Sequence, residues 1–345
     1  MTYVSARERV LNLFDEFEDA PLQTDADTPD PIAFPGYLEA QKRVRESRGP
    51  QDSDEAVLIG IGTLDSIRCV AAVFDFGFFG GSMGVAAGRR LESAMGLALQ
   101  MRLPFVALTT SGGARMQEGM AALAQMPRTV AASVDLAGEG VPRIAVLGDP
   151  TTGGVYSSFA AISDVVVAES EATIGFAGPR IAAAIADGGL PLGSHTAEMA
   201  FESGLVDAVV ESAELRGALI RLLRILQPMG KSGPQSAPKS GPNQARTVTN
   251  HTQHTPRDAW SEFELARHPD RPSPRLYIET LCPERFELHG DRQGSDDEAT
   301  VATLALFEGR PVVFVAFNRR RPTAAGFRKA ARAIRLASRL GLTIV

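Results

Sequence analysis

The 345-residue chain has little cysteine and little histidine. Its two cysteines, Cys69 and Cys282, are too few for a disulfide scaffold or for a zinc site built from four thiolates. Five histidines are few for a metalloenzyme. His251 and His254 have HxxH spacing, but they lie in a polar stretch without helical periodicity, so we interpret the pair as solvated chain. The sequence therefore predicts no metal site.

Positive charge and long apolar runs are also scarce. The chain has 35 Lys and Arg against 41 Asp and Glu, and this net charge of -6 lacks the basic excess typical of nucleic-acid binding. No apolar run approaches the roughly 20 residues that cross a membrane. The acidic residues between positions 15 and 19 are unlike a secretory signal. We expect a cytoplasmic protein that binds neither nucleic acid nor membrane.

One segment, residues 230–255, differs from the rest in composition. It is rich in Gly, Ser, Pro, Asn and Gln, has almost no large apolar residues and has no acidic ones. Such a segment cannot bury enough apolar surface to offset its ordering entropy. We therefore predict a flexible linker over residues 227–258, which separates a first domain, residues 1–226, from a shorter second domain, residues 259–345.

Strand and helix patterns alternate in the first domain. The β-rich stretches 56–61 and 67–76 predict a hairpin, and residues 84–101 have helical spacing. Short apolar runs that predict further strands occur at 105–108, 144–147, 164–168 and 173–176. A second helix is expected from about Arg115, with the apolar residues Met116, Met120, Leu123 and Met126 on related faces. This alternation indicates βαβ crossovers and mostly parallel pairing.

The second domain repeats the opening of the first. Residues 302–307 and 311–317 predict a hairpin, residues 324–340 a helix, and residues 342–345 a strand. The same order of elements occupies residues 56–108, so we predict an internal duplication. Because the sequence stops within a strand that we expect to be buried, we also expect it to be a fragment of a longer protein.

Two segments share one pattern, in which an apolar strand ends, two glycines follow and a helix begins. Gly112 and Gly113 form the first pair, and Gly153 and Gly154 form the second. Glycine allows close approach to the backbone, and a helix start leaves N–H donors unpaired. Two such turns facing one pocket would supply a pair of N–H donors to an oxyanion. The alternative is that both pairs only make tight connections, and the pattern favours neither interpretation.

Four segments resemble the carboxyltransferase β subunit of bacterial acetyl-CoA carboxylase. They are DFGFFGGSMG at 75–84, SGGARMQEG at 111–119, DPTTGGV at 149–155 and IGFAGPR at 174–180. The similarity begins near Arg7, includes FPGYLEAQ at 34–41 and continues to Val210. After the predicted linker, segments that resemble the start of the partner α subunit are HPDRP at 268–272, ELHGDR at 287–292, and residues 309–317 and 326–345. The chain resembles a β–α fusion whose α-like part is cut short.

The resemblance implies a crotonase-like (ClpP/crotonase) α/β fold of repeated ββα units with a partial second repeat. It implies transfer of a carboxyl group from carboxybiotin, delivered on a biotin carboxyl carrier protein, to a short acyl-CoA such as acetyl-CoA or propionyl-CoA. No cofactor would be tightly bound, and biotin carboxylase and further copies of the chain would be partners. The resemblance places this activity in fatty acid biosynthesis, with malonyl-CoA as the product from acetyl-CoA. Two alternatives remain, a biotin-independent acyl-CoA decarboxylase and a non-catalytic scaffold subunit.

The resemblance also assigns roles to individual residues. Gly153 and Gly154 stand at the positions of the oxyanion donors, with Gly112 and Gly113 in the turn that faces them. The substrate-binding assignments, from the CoA pocket to the acyl border, are Phe79, Gly80, Gly81, Ser82, Ala114, Arg115, Phe176, Ala177 and Gly178. Arg115 either anchors the helix after its turn or meets a phosphate or carboxylate, and anchoring is favoured because a buried arginine is usually paired.

Two departures from the family pattern and one charged stripe complete the expectations. A four-cysteine zinc ribbon cannot form, and the α-like part ends before the turns that would hold biotin, so a complete biotin site is not expected. The stripe consists of Arg328, Arg332, Arg335 and Arg339. It would bind CoA phosphates or an acidic carrier, or it is a solvated face opposite the apolar residues Phe327, Ile334 and Ala337, and the solvated face is favoured.

Overall fold

A computed structural model describes residues 4–20, 30–49, 52–185, 191, 193–227, 258–268 and 270–345. Residues 228–257 of the predicted linker, with His251 and His254, lie outside the described residues. The division into two domains at that linker therefore stays a prediction from composition. In the described part of the chain, no helix is both long enough and apolar enough to cross a membrane.

The larger sheet contains the two strands that end at the glycine pairs. Its strands are β1 Glu16–Asp19, β2 Val57–Leu64, β3 Ile67–Phe74, β4 Phe105–Ser111, β5 Arg143–Thr152, β6 Val165–Glu169, β7 Ile174–Gly175 and β8 Ala208–Val210. Their order is β1-β2-β3-β4-β5-β6-β8, with β7 paired to β5. Strands β1 to β3 are antiparallel, and β3 to β8 are parallel. The predicted hairpin and the parallel crossovers are both confirmed.

Helices cover both faces of this sheet. They are α1 Ala6–Leu13, α2 Tyr37–Glu46, α3 Val85–Met101, α4 Met120–Leu123, α5 Gln125–Gly138, α6 Gly153–Val155, α7 Pro179–Ile185, α8 Ala197–Glu202 and α9 Ser212–Ile225. Short 3-10 turns occupy Phe79–Gly81 and Met116–Glu118, and a π-helix occupies Tyr156–Ala160. Every residue of β4 is buried, because α3 packs on one face and α1 and α9 pack on the other. Buried on both faces, such a strand reads as a continuous apolar run.

The second sheet repeats the opening of the first. After α10 Ala259–Ala266 and α11 Pro274–Leu281 come β9 Arg285–Glu287, β10 Thr300–Phe307, β11 Arg310–Phe317, α12 Ala324–Leu340 and β12 Thr343–Ile344. Strands β10 and β11 are antiparallel, and α12 leads to β12, which lies parallel to β11. Strands β2 to β4 have the same connections, so the predicted duplication is confirmed. In this chain β12 lies at the edge of the second sheet and Ile344 is exposed.

Both sheets contribute to one hydrophobic core. Leu219 and Leu222 of α9 are buried in the same cluster as Leu304 of β10 and Leu336 of α12. Apolar burial contributes roughly 25 cal/mol per Å², so this shared cluster holds the second sheet against the first. The second sheet and α12 therefore pack as a layer on the first sheet.

The helix expected from about Arg115 begins later in the chain than predicted. A 3-10 turn ends at Glu118, Gly119 adopts φ 55° and ψ -133°, and the long helix α5 begins only at Gln125. Arg115 itself is extended, with φ -74° and ψ 104°, and it is buried in the interior. Met116 and Met120 are consequently exposed by 78% and 75%, so they do not form a core-facing stripe.

Candidate active site

The two glycine turns are in direct contact. A β-carbon on Gly113 would lie 3.2 Å from the Cα of Gly153, and a β-carbon on Gly153 would lie 3.0 Å from the Cα of Gly113. Their φ angles are +107° and +65°, a region that L side chains rarely adopt. Both the close approach and the backbone conformation therefore require glycine at these two positions. The turns face each other, as the resemblance implied.

The N–H groups of the first turn are used differently from the expectation. The N–H of Gly112 donates to the Gly80 carbonyl oxygen at 2.9 Å, and the N–H of Gly113 donates to Ser111 Oγ at 3.0 Å. These two amides already have acceptors, so they are not spare donors. Among the hydrogen bonds of the described residues, none uses the N–H of Ala114 or of Gly154. We call the amides of Ala114 and Gly154, which have no acceptor among these bonds, the spare donors; the N–H of Gly153 has no acceptor among them either.

Gly113 keeps the space beside one of these donors open. A β-carbon at this position would lie 3.3 Å from the nitrogen of Gly154. An acceptor oxygen of a ligand would approach an amide nitrogen to about 2.9 Å. A side chain at position 113 would therefore compete for the space that such an oxygen needs. The absence of a side chain here is a requirement of the site as well as of the turn.

The segment 79–84 is fastened to the first turn. The N–H of Met83 donates to the Gly113 carbonyl oxygen at 2.8 Å, and the N–H of Arg115 donates to the Met83 carbonyl oxygen at 3.0 Å. A β-carbon on Gly81 would lie 1.9 Å from the Thr110 carbonyl oxygen. Phe79, Gly80 and Ser82 are therefore brought beside the turn by backbone pairing, which places the assigned CoA-pocket segment next to the spare donors.

Arg115 is an anchor in the interior. Its side chain has no exposed surface and forms ion pairs with Glu55 and, at 3.2 Å, with Glu118. It also donates to the Ser82 carbonyl oxygen at 2.8 Å. Burial alone would lower the pKa of Arg115, but the charge of Glu55 reverses this and raises the pKa above its usual value. The assignment of Arg115 as a substrate-binding residue is wrong, because a ligand phosphate has no access to its guanidinium.

Tyr37 and Glu55 complete this network and were not identified from the sequence. The Tyr37 hydroxyl donates to Glu118 Oε1 at 2.6 Å, and burial raises the pKa of Tyr37 to about 12. Glu118 Oε2 accepts the N–H of Val85 at 2.6 Å, which caps the start of α3. In the sequence, the only indication of this network was that Tyr37 lies in the FPGYLEAQ segment of the family resemblance. In the structure Tyr37 is buried, whereas tyrosine is commonly partly exposed.

The segment after β7 lies beside the second turn. Gly175 is paired in parallel register with Thr152, the residue before Gly153. A β-carbon on Gly175 would lie 2.7 Å from His195 Cδ2, so this strand end is closely packed. Phe176 follows and is 73% exposed, while Ala177 and Gly178 are half-buried. The structure thus brings the assigned acyl-border segment to the glycine turns.

The arginine stripe of α12 is neither a solvated face nor an open anion site. Arg332 donates to Asp207 Oδ1 at 2.7 Å, Arg339 forms an ion pair with Asp164, and Arg328 pairs with Asp291 at 2.6 Å. Arg335 is the exposed member. The favoured interpretation of a solvated face is wrong, because three of the four arginines are paired with aspartates. Those aspartates lie in distant segments, and two of them belong to the part of the chain that forms the first sheet.

The same helix presents apolar residues outward. Phe327 and Ile334 are exposed, whereas Ala337 is fully buried. The expected arrangement, with these three residues together on the inner face, is therefore wrong for two of them. In the part of the chain that the structure describes, no group of three or more His, Cys, Asp or Glu side chains could hold a metal ion.

Comparison with known proteins identifies the family. Residues 37–345 match the model of the carboxyl transferase domain. The chain belongs to the carboxyl transferase family. This carboxyl transferase chain is 41% identical over 358 residues to a Salinispora tropica protein named acetyl-coenzyme A carboxylase carboxyl transferase subunits beta/alpha. The alignment covers 99% of this chain and 62% of that relative, so the chain spans about three-fifths of the relative's length.

Two further matches concern a part of this carboxyl transferase chain and its fold. The subunit beta of the Brucella anthropi acetyl-coenzyme A carboxylase carboxyl transferase is 39% identical over 67% of this chain and 78% of that protein. A solved transcarboxylase 12S structure superimposes with a TM-score of 0.71 at 22% identity, covering 99% of this chain and 63% of that one. The expected crotonase-like α/β fold is confirmed.

Proposed function

We propose that the chain is the carboxyltransferase component of a biotin-dependent acyl-CoA carboxylase. In this reaction a carboxyl group passes from carboxybiotin to the α-carbon of acetyl-CoA or propionyl-CoA. The observation that supports the proposal is the contact between Gly113 and Gly153, which brings together two turns whose amides at Ala114 and Gly154 have no acceptor among the hydrogen bonds of the described residues. The family membership and the names of the relatives support the same activity.

The proposed role of these amides follows from the charge that the reaction develops. Removal of a proton from the α-carbon moves electron density onto the thioester oxygen and forms an enolate. Two N–H groups that are already oriented would stabilise this oxygen without reorganisation, and loss of one such donor typically costs about 10²–10³ in kcat. On this scheme the C–N bond of carboxybiotin would break and release the carboxyl carbon as CO₂, the biotin nitrogen left behind would take the α-proton, and the α-carbon of the enolate would form a bond to that carbon. The chain contributes positioning and oxyanion stabilisation, and no side-chain nucleophile takes part.

The partners follow from the same proposal. The carboxyl group arrives on the biotin of a carrier protein, and a biotin carboxylase would load that carrier. A homo-oligomer, a cytoplasmic location and a role in supplying malonyl-CoA for fatty acid synthesis stay predictions. Acyl-CoA is the small-molecule substrate, and Phe79, Gly80 and Ser82 together with Phe176, Ala177 and Gly178 are proposed to border it.

The activity is tested with the full protein, its biotin carboxylase, its carrier, ATP and labelled bicarbonate. We expect label in the acid-stable product of acetyl-CoA or propionyl-CoA. Gly154→Val should reduce this product strongly, because a branched side chain on Gly154, whose β-carbon would already lie 2.6 Å from Met126 Sδ, would crowd the amide proposed to hold the thioester oxygen. Gly217→Ala is the matched control, since nothing lies within 4 Å of its added β-carbon.

Three outcomes would contradict the proposal in different ways. No labelled product from any short acyl-CoA would exclude carboxyl transfer. Turnover of malonyl-CoA without carrier or carboxylase would indicate the decarboxylase. Full activity of the complex with Gly154→Val would indicate that the chain is a scaffold and that the catalytic amides belong to another protein.

A further inference from the structure

Met126 lies directly against the glycine that holds a spare donor. The three heavy atoms nearest to an added β-carbon on Gly154 all belong to Met126, with Sδ at 2.6 Å, Cε at 2.8 Å and Cγ at 3.3 Å. Met126 is the second residue of α5 and is half-buried against the core between α3 and the sheet. Its side chain therefore forms the wall on one side of Gly154.

This placement distinguishes Met126 from the other apolar residues of its segment. Met116, Met120 and Leu123 are exposed. Of these four residues, Met126 is the one whose side chain contacts Gly154. The helix start at Gln125 sets this direction, because Met126 lies one position after it, on the face toward α6. The sequence singled out these four residues, but their spacing alone did not separate Met126 from the rest.

We propose that Met126 sets the upper limit on the length of the acyl group, and that it restricts the substrate to acetyl-CoA and propionyl-CoA. The inference rests on the proposed function, in which the thioester oxygen is bound at the amide of Gly154. The acyl α-carbon is then two bonds from that oxygen, and the inference places its substituents on the flank of Gly154 where Met126 packs. Met126 is a specificity-determining residue for this reaction.

The wall formed by Met126 yields only partly. One added carbon at Gly154 would lie at 2.6 Å from Sδ, so the side chain has to move even for a single methyl group. The atoms in contact are the far end of an unbranched side chain with three rotatable bonds, which can shift at modest cost. An acyl substituent on this flank would displace the same side chain, so a short substituent would need a small shift of Met126 and a longer one would need the whole side chain to leave its packed position.

The test measures binding and turnover of an acyl-CoA series by the full protein. Dissociation constants for acetyl-, propionyl-, butyryl- and hexanoyl-CoA are determined by calorimetry, and kcat and KM are measured with carrier and carboxylase. One methylene in an apolar pocket changes discrimination by roughly 10-fold to 200-fold. We expect Met126→Ala to raise the affinity for butyryl-CoA relative to acetyl-CoA by at least about tenfold, and Met126→Val to give an intermediate ratio. Met126→Leu, which keeps the volume, should retain the original ratio.

A control and a second readout separate specificity from stability. Met101→Ala makes the same change at the far end of α3 and should leave the ratio unchanged. Thermal unfolding is recorded for every variant, so a loss of folding in Met126→Ala is detected directly, and Met126→Val then carries the comparison.

The outcomes are distinguishable. If the wild-type protein binds acetyl-CoA and neither Met126→Ala nor Met126→Val changes the ratio, Met126 only fills the core and the inference is overturned. If the wild-type protein binds none of the four thioesters, the proposed function itself fails. A ratio that rises in the order Leu, Val, Ala supports both.

Discussion

Gly204, in the part of the chain that forms the first sheet, is in backbone contact with Gly290, in the part that forms the second sheet. A β-carbon on Gly290 would lie 2.1 Å from the Gly204 carbonyl oxygen, and a β-carbon on Gly204 would lie 2.2 Å from the Ser295 carbonyl oxygen. The same Gly204 carbonyl accepts the N–H of Arg292 at 3.0 Å. The loop of the ELHGDR segment therefore sits directly on the turn that follows α8.

Substitution of Gly290 is expected to separate these two parts. In Gly290→Ala the opposing atoms are backbone, which cannot rotate away, and φ of +70° adds strain of about 1 kcal/mol. We expect a large loss in the free energy of unfolding, measured in urea, and faster proteolysis within residues 258–345. Gly309→Ala is the matched control, because its φ is +73° but nothing lies within 4 Å of the new β-carbon. Equal losses in the two variants would show that strain, and not the contact, is responsible.

The arginines of α12 should differ sharply in their contribution to stability. Arg332 pairs with the fully buried carboxylate of Asp207, whereas Arg335 is exposed. Removal of one partner from a buried pair costs about 3–5 kcal/mol, and Arg292 remains beside Asp207, so we expect about 3 kcal/mol for Arg332→Ser. Arg335→Ser should change the free energy of unfolding by no more than about 0.5 kcal/mol. A small effect of Arg332→Ser, equal to that of Arg335→Ser, would restore the solvated-face interpretation.

Asp207 should make this stabilisation depend on pH. Burial alone would raise the pKa of Asp207, but the charges of Arg292 and Arg332 outweigh it and hold the pKa below its ordinary value of 3.8. A depressed pKa contributes stability that is fully present above the unfolded-state pKa and is lost as the pH falls through the folded-state value. The stability difference between wild type and Asp207→Asn should therefore be constant from pH 7 to pH 5 and shrink below about pH 4.

Urea unfolding at each pH measures this difference directly. Asp65→Asn is a suitable control, because Asp65 also pairs with an arginine, Arg224, but both side chains are well exposed. An exposed pair contributes between zero and about 1 kcal/mol. A difference for Asp207→Asn that stays the same down to pH 3 would contradict the assignment of the charged form to the folded state.

The sequence was sufficient for the elements whose residues are buried by regular patterns. The bounds of α3 and α12 and the hairpin β2–β3 follow from apolar spacing, because each presents a complete face to the core. The stretch after Arg115 was predicted incorrectly, since its conformation is set by ion pairs with Glu55 and Glu118 that no periodicity reveals. Local sequence patterns do not predict the backbone conformation of a segment whose side chains pair with residues distant in the sequence.

The candidate site was predictable to a similar degree. Glycine pairs after two strands located the turns correctly, because only glycine adopts their φ angles at that separation. The sequence could not show which amides would lack an acceptor. The N–H of Gly112 donates to the carbonyl oxygen of Gly80, and these two residues come together only in the folded chain. The pairing of Arg332 with Asp207 was hidden for the same reason.

Gly113→Ala should reduce turnover more than stability. Its β-carbon would lie 3.3 Å from the nitrogen of Gly154, in the space proposed for the thioester oxygen, and φ of +107° is unfavourable for alanine. Loss of access to one donor predicts a fall of about 10²–10³ in kcat, with a smaller change in the acyl-CoA dissociation constant, because the oxyanion is strongest in the transition state. Single-turnover kinetics and calorimetry separate these quantities. Gly96→Ala, in α3 and with nothing within 4 Å of its β-carbon, should retain wild-type kcat. An unchanged kcat in a folded Gly113→Ala variant would place the oxyanion elsewhere.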